Sequence, residues 1–337
     1  MSTVDIIATV YNGESYLEEF LQSIKMQTFA DWRLILVDDG STDNSLSICN
    51  KYKDLDSRII VKHTSNMGSF LARRSGVEYI TSLYVLFLDS DDFLLPHALY
   101  EIVNAFERTG VDAVFYKYEK NGKILPDINI SKQMTYQETT QWFRRYIMST
   151  SNSYNQLWSK AWKANVILND NECYGGLETI KKGTDFVQLL PWLDRIDKVY
   201  FMERSLYIYK INDFGITNRN KNLIDLTDSL YKTYKWKCKY LEKWAINRTD
   251  SDKLFLNSFL SHIYNMCLLN DEARTLRKNF SLLTESDYYR KGIKYAQKDI
   301  GVFDHAVAFF IIRLIDLRCF SLIYFLSKLY RLKKCKY

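Results

Sequence analysis

Proline and glycine are scarce in this chain, at 3 and 12 of 337 residues. That scarcity excludes a linker-rich or disordered chain, in which both residues accumulate. Histidine is scarcer than glycine, and the four present (His63, His97, His262, His305) follow no metal-ligand spacing. The six cysteines (Cys49, Cys173, Cys238, Cys267, Cys319, Cys335) are scattered and form no C-x-x-C pair. Together these exclude a zinc site of ordinary spacing and lead us to expect a reducing, cytoplasmic setting. No basic stretch followed by an apolar one precedes the first strand at Val4, so a secretory signal is not expected. No G-x-G-x-x-G follows that strand, which disfavours a dinucleotide enzyme. The most apolar stretch, Phe303 to Tyr330, is broken by Arg313, Asp316 and Arg318. A spanning helix needs about 20 apolar residues, and charges at its centre are costly, so none is expected.

What is present suits a large globular core: 47% of residues are hydrophobic and 26% charged. Aromatic residues reach 15%, with 25 tyrosines, and aromatics serve packing before they serve ligand stacking. Charge is uneven. Residues 1–218 carry 23 Lys+Arg against 28 Asp+Glu, and residues 219–337 carry 23 against 12, so the net charges are −5 and +11. A basic half fits an anionic partner, such as a membrane surface or a phosphorylated lipid, or simply a solvated helical surface. No recognisable nucleic-acid module accompanies it, so nucleic acid is not an expected partner.

From Val4 to Tyr116 strand and helix signals alternate. Strands are expected at Ile6–Val10, Leu34–Val37, Ile59–Val61, Tyr84–Leu88 and Ala113–Tyr116. Helices are expected at Glu14–Met26, Asp43–Tyr52, Ser69–Ile80 and Pro96–Arg108. This alternation predicts an α/β fold with a doubly wound, mostly parallel sheet. Further helices are expected at Tyr136–Met148 and Asp185–Leu193, and strands at Lys198–Met202 and Leu206–Lys210. From Asn222 onward the pattern is helical. We expect a domain over 1–218, in halves 1–115 and 116–218, and a basic helical region over 219–337. Phe303 to Tyr330 reads equally as a helix lying on an anionic membrane or as one packed on the protein.

The chemistry concentrates at strand ends. The apolar run Leu86-Phe87-Leu88 stops at Asp89-Ser90-Asp91-Asp92. A strand covered on both faces reads as such a run, and an open α/β sheet binds ligands at its carboxyl edge. Carboxylates there suit Mg²⁺ or Mn²⁺ and a phosphate-bearing substrate. An acidic cap on the following helix is the other reading. Val37-Asp38-Asp39-Gly40-Ser41 closes the second strand in the same way, and also reads as a turn with a helix cap.

Val10-Tyr11-Asn12-Gly13, Val37-Asp38-Asp39-Gly40-Ser41-Thr42-Asp43, Ser65 to Gly76 and Phe87 to Leu94 occur in an order that resembles glycosyltransferase family 2. The likeness to bacterial capsule and exopolysaccharide enzymes is dense from Val4 to Leu95. It thins through the middle and is not legible after about Asn218. It implies the GT-A fold, a UDP-sugar donor and a divalent metal. It places Thr9 and Tyr11 beside the uracil, with Asp39 on its N3–H. Arg73 is placed near the nucleotide, Asp89 at the ribose with Ser90 beside it, and Asp91 on the metal.

Gly183-Thr184-Asp185-Phe186 resembles the family's Gly-Glu-Asp-x-x-Phe segment, which gives Asp185 the role of general base in an inverting transfer. A cap at a helix start is the alternative for Asp185. Thr184 stands where the family has Glu, Thr9 where Pro is commoner, Arg74 where Asn is common, and Asn212 where a metal-binding His is found in some members. The extra charge of Arg74 could face a diphosphate or the surface. Trp158, Trp162 and Trp192 either stack on a sugar or pack in the core. The expected acceptor is a saccharide hydroxyl, with a lipid-linked oligosaccharide favoured, in cell-surface polysaccharide synthesis at the inner face of the membrane. The competing reading is a catalytically weak, nucleotide-sugar-binding subunit that partners another glycosyltransferase.

Overall fold

A computed structural model of the protein describes residues 2–128, 130–131, 133–149, 154–180, 182–211, 223–252, 254–255, 258, 273–286, 289–290, 310 and 313–325. The chain forms two compact units. One comprises residues 1–147, 152–179 and 184–215, and the other residues 148–151, 180–183 and 216–337.

The first unit is built on one sheet. Its strands are β1 (Val4–Val10), β2 (Trp32–Asp38), β3 (Ile59–His63), β4 (Tyr84–Asp89), β5 (Phe93–Leu94), β6 (Ala113–Lys120), β7 (Lys123–Leu125), β8 (Lys160–Lys163) and β9 (Val199–Ile208). Their order is β3-β2-β1-β4-β8-β6-β9-β5, with β7 paired to β6. The parallel arrangement predicted for the N-terminal half holds: β1 runs parallel to β2 and β4, and β2 to β3. Beyond β4 the sheet is mixed, because β8 enters antiparallel between β4 and β6. β5, β7 and β8 escape the sequence pattern because segments of two to four residues are too short to show a period. The two strands expected at 198–210 are one strand. Its ladder with β6 shifts register near Tyr116–Lys117, and that irregularity mimics a break in the alternation.

Helices α1 (Leu17–Lys25), α2 (Ser45–Leu55), α3 (Ser69–Val77), α4 (Ala98–Thr109), α5 (Tyr136–Ser149), α6 (Ala164–Leu168) and α7 (Thr184–Asp194) accompany these strands. α1 buries Leu17, Phe20, Leu21 and Ile24, the i, i+3, i+4, i+7 stripe of an amphipathic helix. α3 approaches β1 so closely that a Cβ on Gly76 would lie 2.7 Å from Ile7 Cγ2. β1 is buried almost throughout, and its one charge is accounted for. Asp5, 0% exposed, accepts Arg33 Nε and Nη2 at 2.8 and 2.9 Å and the Thr81 and Ser82 N–H at 2.8 and 3.0 Å. A buried carboxylate persists only with such a set of donors.

The second unit contains α8 (Leu223–Lys243), α9 (Ala273–Glu285) and helical turns at 313–316 and 320–325. Aromatic pairs hold it together: Tyr234 on Phe255 at 4.0 Å between ring centroids, and Phe280 on Phe320 at 5.3 Å. Among the described residues no helix is long and apolar enough to cross a membrane. The segment 313–325 packs Leu314, Ile315, Phe320 and Ile323 inward, while Leu317 (70% exposed) and Phe325 (57%) face out. Of the stretch Phe303 to Tyr330 only residue 310 and residues 313–325 are described, and these show both packed and exposed apolar side chains.

Candidate active site

The register of the first strands builds the site. Val10 lies opposite Asp38 of β2, and Thr9 lies opposite both Val37 of β2 and Asp89 of β4. The three strands therefore end level, and the loops that follow them rise side by side. Asp38 and Asp89 flank β1 at about one strand spacing, ~4.8 Å, on either side.

The loops are tied to one another. The Asn12 N–H donates to Ser41 Oγ at 3.0 Å, and Asn12 Oδ1 accepts the Thr42 N–H at 2.8 Å. Ser90 Oγ donates to the Thr9 carbonyl at 2.9 Å, so this hydroxyl secures the acidic loop to the end of β1. Thr9 and Tyr11 are half-buried along the same rim. Asp39 is 5% exposed, and its carboxylate accepts the Met67 and Gly68 N–H groups at 2.7 and 2.8 Å. It thereby shapes the loop that opens α3. Asp38 is fully buried, and its Oδ2 meets His63 Nδ1 at 2.7 Å and accepts the Ser41 N–H at 3.4 Å.

Arg73 joins the later chain to this rim. It projects from α3, is 6% exposed, and donates from Nη1 to Asp185 Oδ1 at 2.7 Å and from Nη2 to Asp89 Oδ1 at 3.3 Å. Asp185 stands in the first turn of α7, half-buried, 96 residues beyond Asp89 in sequence. Among the described residues its Oδ2 receives no hydrogen bond. Arg73 thus lies between two of the predicted carboxylates and holds one of them with an oxygen to spare.

Crowding sets the protonation of the acidic loop. Burial pushes the Asp89 carboxyl up to about 7, with Asp185 and Asp91 adding to the rise and Arg73 opposing it. Asp92 is pushed up to about 8, first by burial and then by Asp89 and Asp91. Two residues of the run Tyr207 to Asn212, in which the sequence points to a role only for Asn212, complete this arrangement. Tyr207 on β9 donates its hydroxyl to Asp92 Oδ2 at 2.7 Å and accepts the Asp89 N–H at 3.4 Å, and the Lys210 N–H donates to Asp92 Oδ1 at 2.8 Å. A Tyr-x-Tyr pair opposite an acidic loop could have signalled this, but the pairing of β5 with β9 that brings them together is not written in either segment.

A divalent cation fits here through a small donor set. The mutual repulsion of Asp89, Asp91 and Asp92 is what a bound cation relieves. Asp92 is engaged by Tyr207 and Lys210 and Asp89 by Arg73, and Asp91, which the resemblance places on the metal, is half-buried in the same loop. Among the described residues no cluster of three ligating side chains forms. Mg²⁺-type sites characteristically use one or two carboxylates and take the rest from substrate phosphates and water. Asn212, the other residue considered for the metal, lies outside the described residues.

The remaining candidates resolve differently. Arg74 is turned to the protein: its Nη1 donates to the fully buried Asp170 at 2.9 Å. Trp158, Trp162 and Trp192 are 4%, 0% and 0% exposed, so they are core residues with no face for a sugar. Trp158 stacks on Tyr207 at 4.5 Å and stiffens the strand behind the acidic loop.

Residues 5–162 match the glycosyl transferase family 2 sequence family. This chain carries a family 2 glycosyltransferase domain. It is similar to the uncharacterized glycosyltransferase EpsJ of Bacillus subtilis, with 24% identity over 87% of this chain and 86% of that protein. It is also similar to the minor teichoic acid biosynthesis protein GgaA of the same species, with 25% identity over 82% of this chain and 64% of GgaA. These likenesses run well past Asn218, further than the motifs alone reveal. In fold it resembles S. aureus TarS residues 1–349 solved with UDP-GlcNAc, at a TM-score of 0.69 and 17% identity, covering 98% of this chain and 92% of that one. The chain therefore has the expected GT-A fold with a helical C-terminal region.

Proposed function

We propose that this glycosyltransferase moves a sugar from a UDP-sugar to a hydroxyl of a saccharide acceptor with inversion, in cell-surface polysaccharide synthesis. The observation that carries this reading is the Asp89–Arg73–Asp185 bridge at the ends of β1 and β4, which joins a donor-side carboxylate to a carboxylate with an oxygen to spare. The solved complex of TarS with UDP-GlcNAc and the part of GgaA in minor teichoic acid biosynthesis support the donor and acceptor classes.

In this reading Asp39 and the Thr9–Tyr11 rim receive the base of the nucleotide, and Asp89 receives the ribose. Mn²⁺ or Mg²⁺ held by Asp91 would neutralise charge on the departing diphosphate. Asp185 Oδ2 accepts the proton of the acceptor hydroxyl as that oxygen bonds to the anomeric carbon. The anomeric C–O bond to the diphosphate breaks, and its electron pair leaves with UDP. Alignment of the two substrates supplies much of the acceleration. A panel of nucleotide-sugars with Mn²⁺ or Mg²⁺ tests the donor class by thermal shift, since a ligand that binds only the folded state raises the melting point. UDP-sugars are expected to raise it and GDP- or dTDP-sugars are not; the reverse order would sink the UDP assignment.

The acceptor is proposed to be lipid-linked, with the second unit lying on the anionic inner face of the membrane. The exposed Leu317 and Phe325, with the +11 charge of residues 219–337, favour this. Burying each apolar side chain is worth about 1.5–3 kcal/mol. The double variant Leu317→Ser/Phe325→Ser is therefore expected to lose at least about tenfold of its flotation with anionic phospholipid vesicles. Unchanged flotation would remove this apolar pair from the membrane contact, and equal binding to neutral vesicles would remove the anionic charge from it.

A further inference from the structure

Two consecutive arginines on α3 grip two different carboxylates. Arg73 takes Asp185 in the first turn of α7, and Arg74 takes Asp170 with Nη1 at 2.9 Å and the Asp170 carbonyl with Nη2 at 3.3 Å. Asp170 is fully buried, and its carboxylate also accepts Trp192 Nε1 at 3.0 Å, Arg195 Nη2 at 3.2 Å and the Tyr174 hydroxyl at 2.5 Å. Trp192 lies in the last turn of α7 and Arg195 just after it. Seven residues of helix, about 10 Å at 1.5 Å per residue, separate Asp185 from Trp192. α7 is thus tied to α3 near both ends, directly at Asp185 and through Asp170 at the far end. The buried face of α7 (Val187, Leu189, Leu190, Trp192, Leu193) fixes the helix in the core, and the two polar ties set its position along α3.

We propose that Arg74 and Asp170 are positioning residues that set where Asp185 stands relative to Asp89. This deepens the reading of Asp185 as the base and rests on it. Two guanidiniums on one buried carboxylate are a poor device for stability alone, since apolar packing does as well, and a better one for fixing a unique arrangement. Displacing a reacting group by about 1 Å can cost on the order of 10²-fold in rate. The brace touches neither donor nor acceptor and acts only through the orientation of α7.

The test uses the full chain, with UDP-sugar turnover for kcat and KM and calorimetric UDP binding, in Arg74→Gln, Arg74→Lys, Asp185→Asn and the double variant Arg74→Gln/Asp185→Asn. Arg74→Gln is expected to lower kcat about ten- to a hundredfold while KM and UDP affinity stay within about twofold, as loss of an interaction that matters only in the transition state does. Arg74→Lys, which restores the charge on Asp170, is expected to recover part of that loss. In the Asp185→Asn background Arg74→Gln is expected to cost nothing further, because residues acting as one unit are not additive. An equal loss in both backgrounds overturns the brace and leaves the base assignment standing. A loss of UDP affinity matching the loss in kcat overturns it as well. Full turnover in Asp185→Asn overturns the base assignment and the brace together. Arg74 is the variant of choice because its side chain is 28% exposed, whereas that of Asp170 is 0% exposed and Asp170→Asn risks the fold.

Discussion

Asp185→Asn is expected to reduce sugar transfer by roughly 10²–10⁴-fold, the usual worth of a positioned general base, while leaving UDP-sugar binding unchanged. The substitution keeps the size of the side chain. It replaces a carboxylate oxygen by an amide group that cannot take a proton. Arg73 retains an acceptor in the amide oxygen and still has Asp89, so the loops at the ends of β1 and β4 keep their geometry. The measurement is saturation kinetics with a UDP-sugar and an acceptor hydroxyl, paired with UDP binding on the same preparations. Transfer at the wild-type rate removes the base role. Loss of donor binding in step with transfer makes Asp185 part of the donor pocket instead. The same assay separates the competing reading: a wild-type chain that binds UDP-sugars and turns over none of them on any acceptor is a binding subunit.

Asp91→Ala is expected to abolish the part of donor binding that Mn²⁺ or Mg²⁺ confers. Asp91 is the carboxylate proposed to hold the cation, and it presses on both acidic neighbours, raising the carboxyls of Asp89 and Asp92. A donor at about a hundred times its Kd stabilises the folded state by about 2.7 kcal/mol. In the wild type this shows as a rise of several degrees in melting point that EDTA removes. In Asp91→Ala the rise is expected to be small and indifferent to EDTA, whereas Asp185→Asn behaves like the wild type. A full, EDTA-sensitive shift in Asp91→Ala would transfer the ligand role to another carboxylate. The two variants together divide the cleft into a donor side and an acceptor side.

Much of this was legible in the residues. A strand that is buried on both faces must be apolar along its length, so β1, β2 and β4 announce themselves as runs, and their carboxyl ends announce themselves as the places where the runs stop in Asp38-Asp39 and Asp89-Ser90-Asp91-Asp92. The helices of the first half follow for the same reason, since an amphipathic stripe such as Leu17, Phe20, Leu21 and Ile24 is dictated by one buried face. The polar stretch before Lys163 shows the limit of such reading. Lys160 looks like a surface residue but is fully buried, its ammonium donating to the Tyr154 and Gln156 carbonyls at 2.9 and 2.6 Å. Burial of a charge depends on acceptors that other parts of the fold bring to it.

The sequence by itself determined the alternating elements, the acidic ends of the parallel strands and the identity of the groups capable of the chemistry, because periodicity and composition are properties of short segments. Only the tertiary structure decided that Asp185 meets Arg73 beside Asp89, that Asp92 is consumed by Tyr207, and that Arg74 turns to Asp170. Those contacts join residues 16 to 115 positions apart. The packing of α3 against α7 and the pairing of β5 with β9 create them, and no local pattern encodes which distant partner a side chain will find.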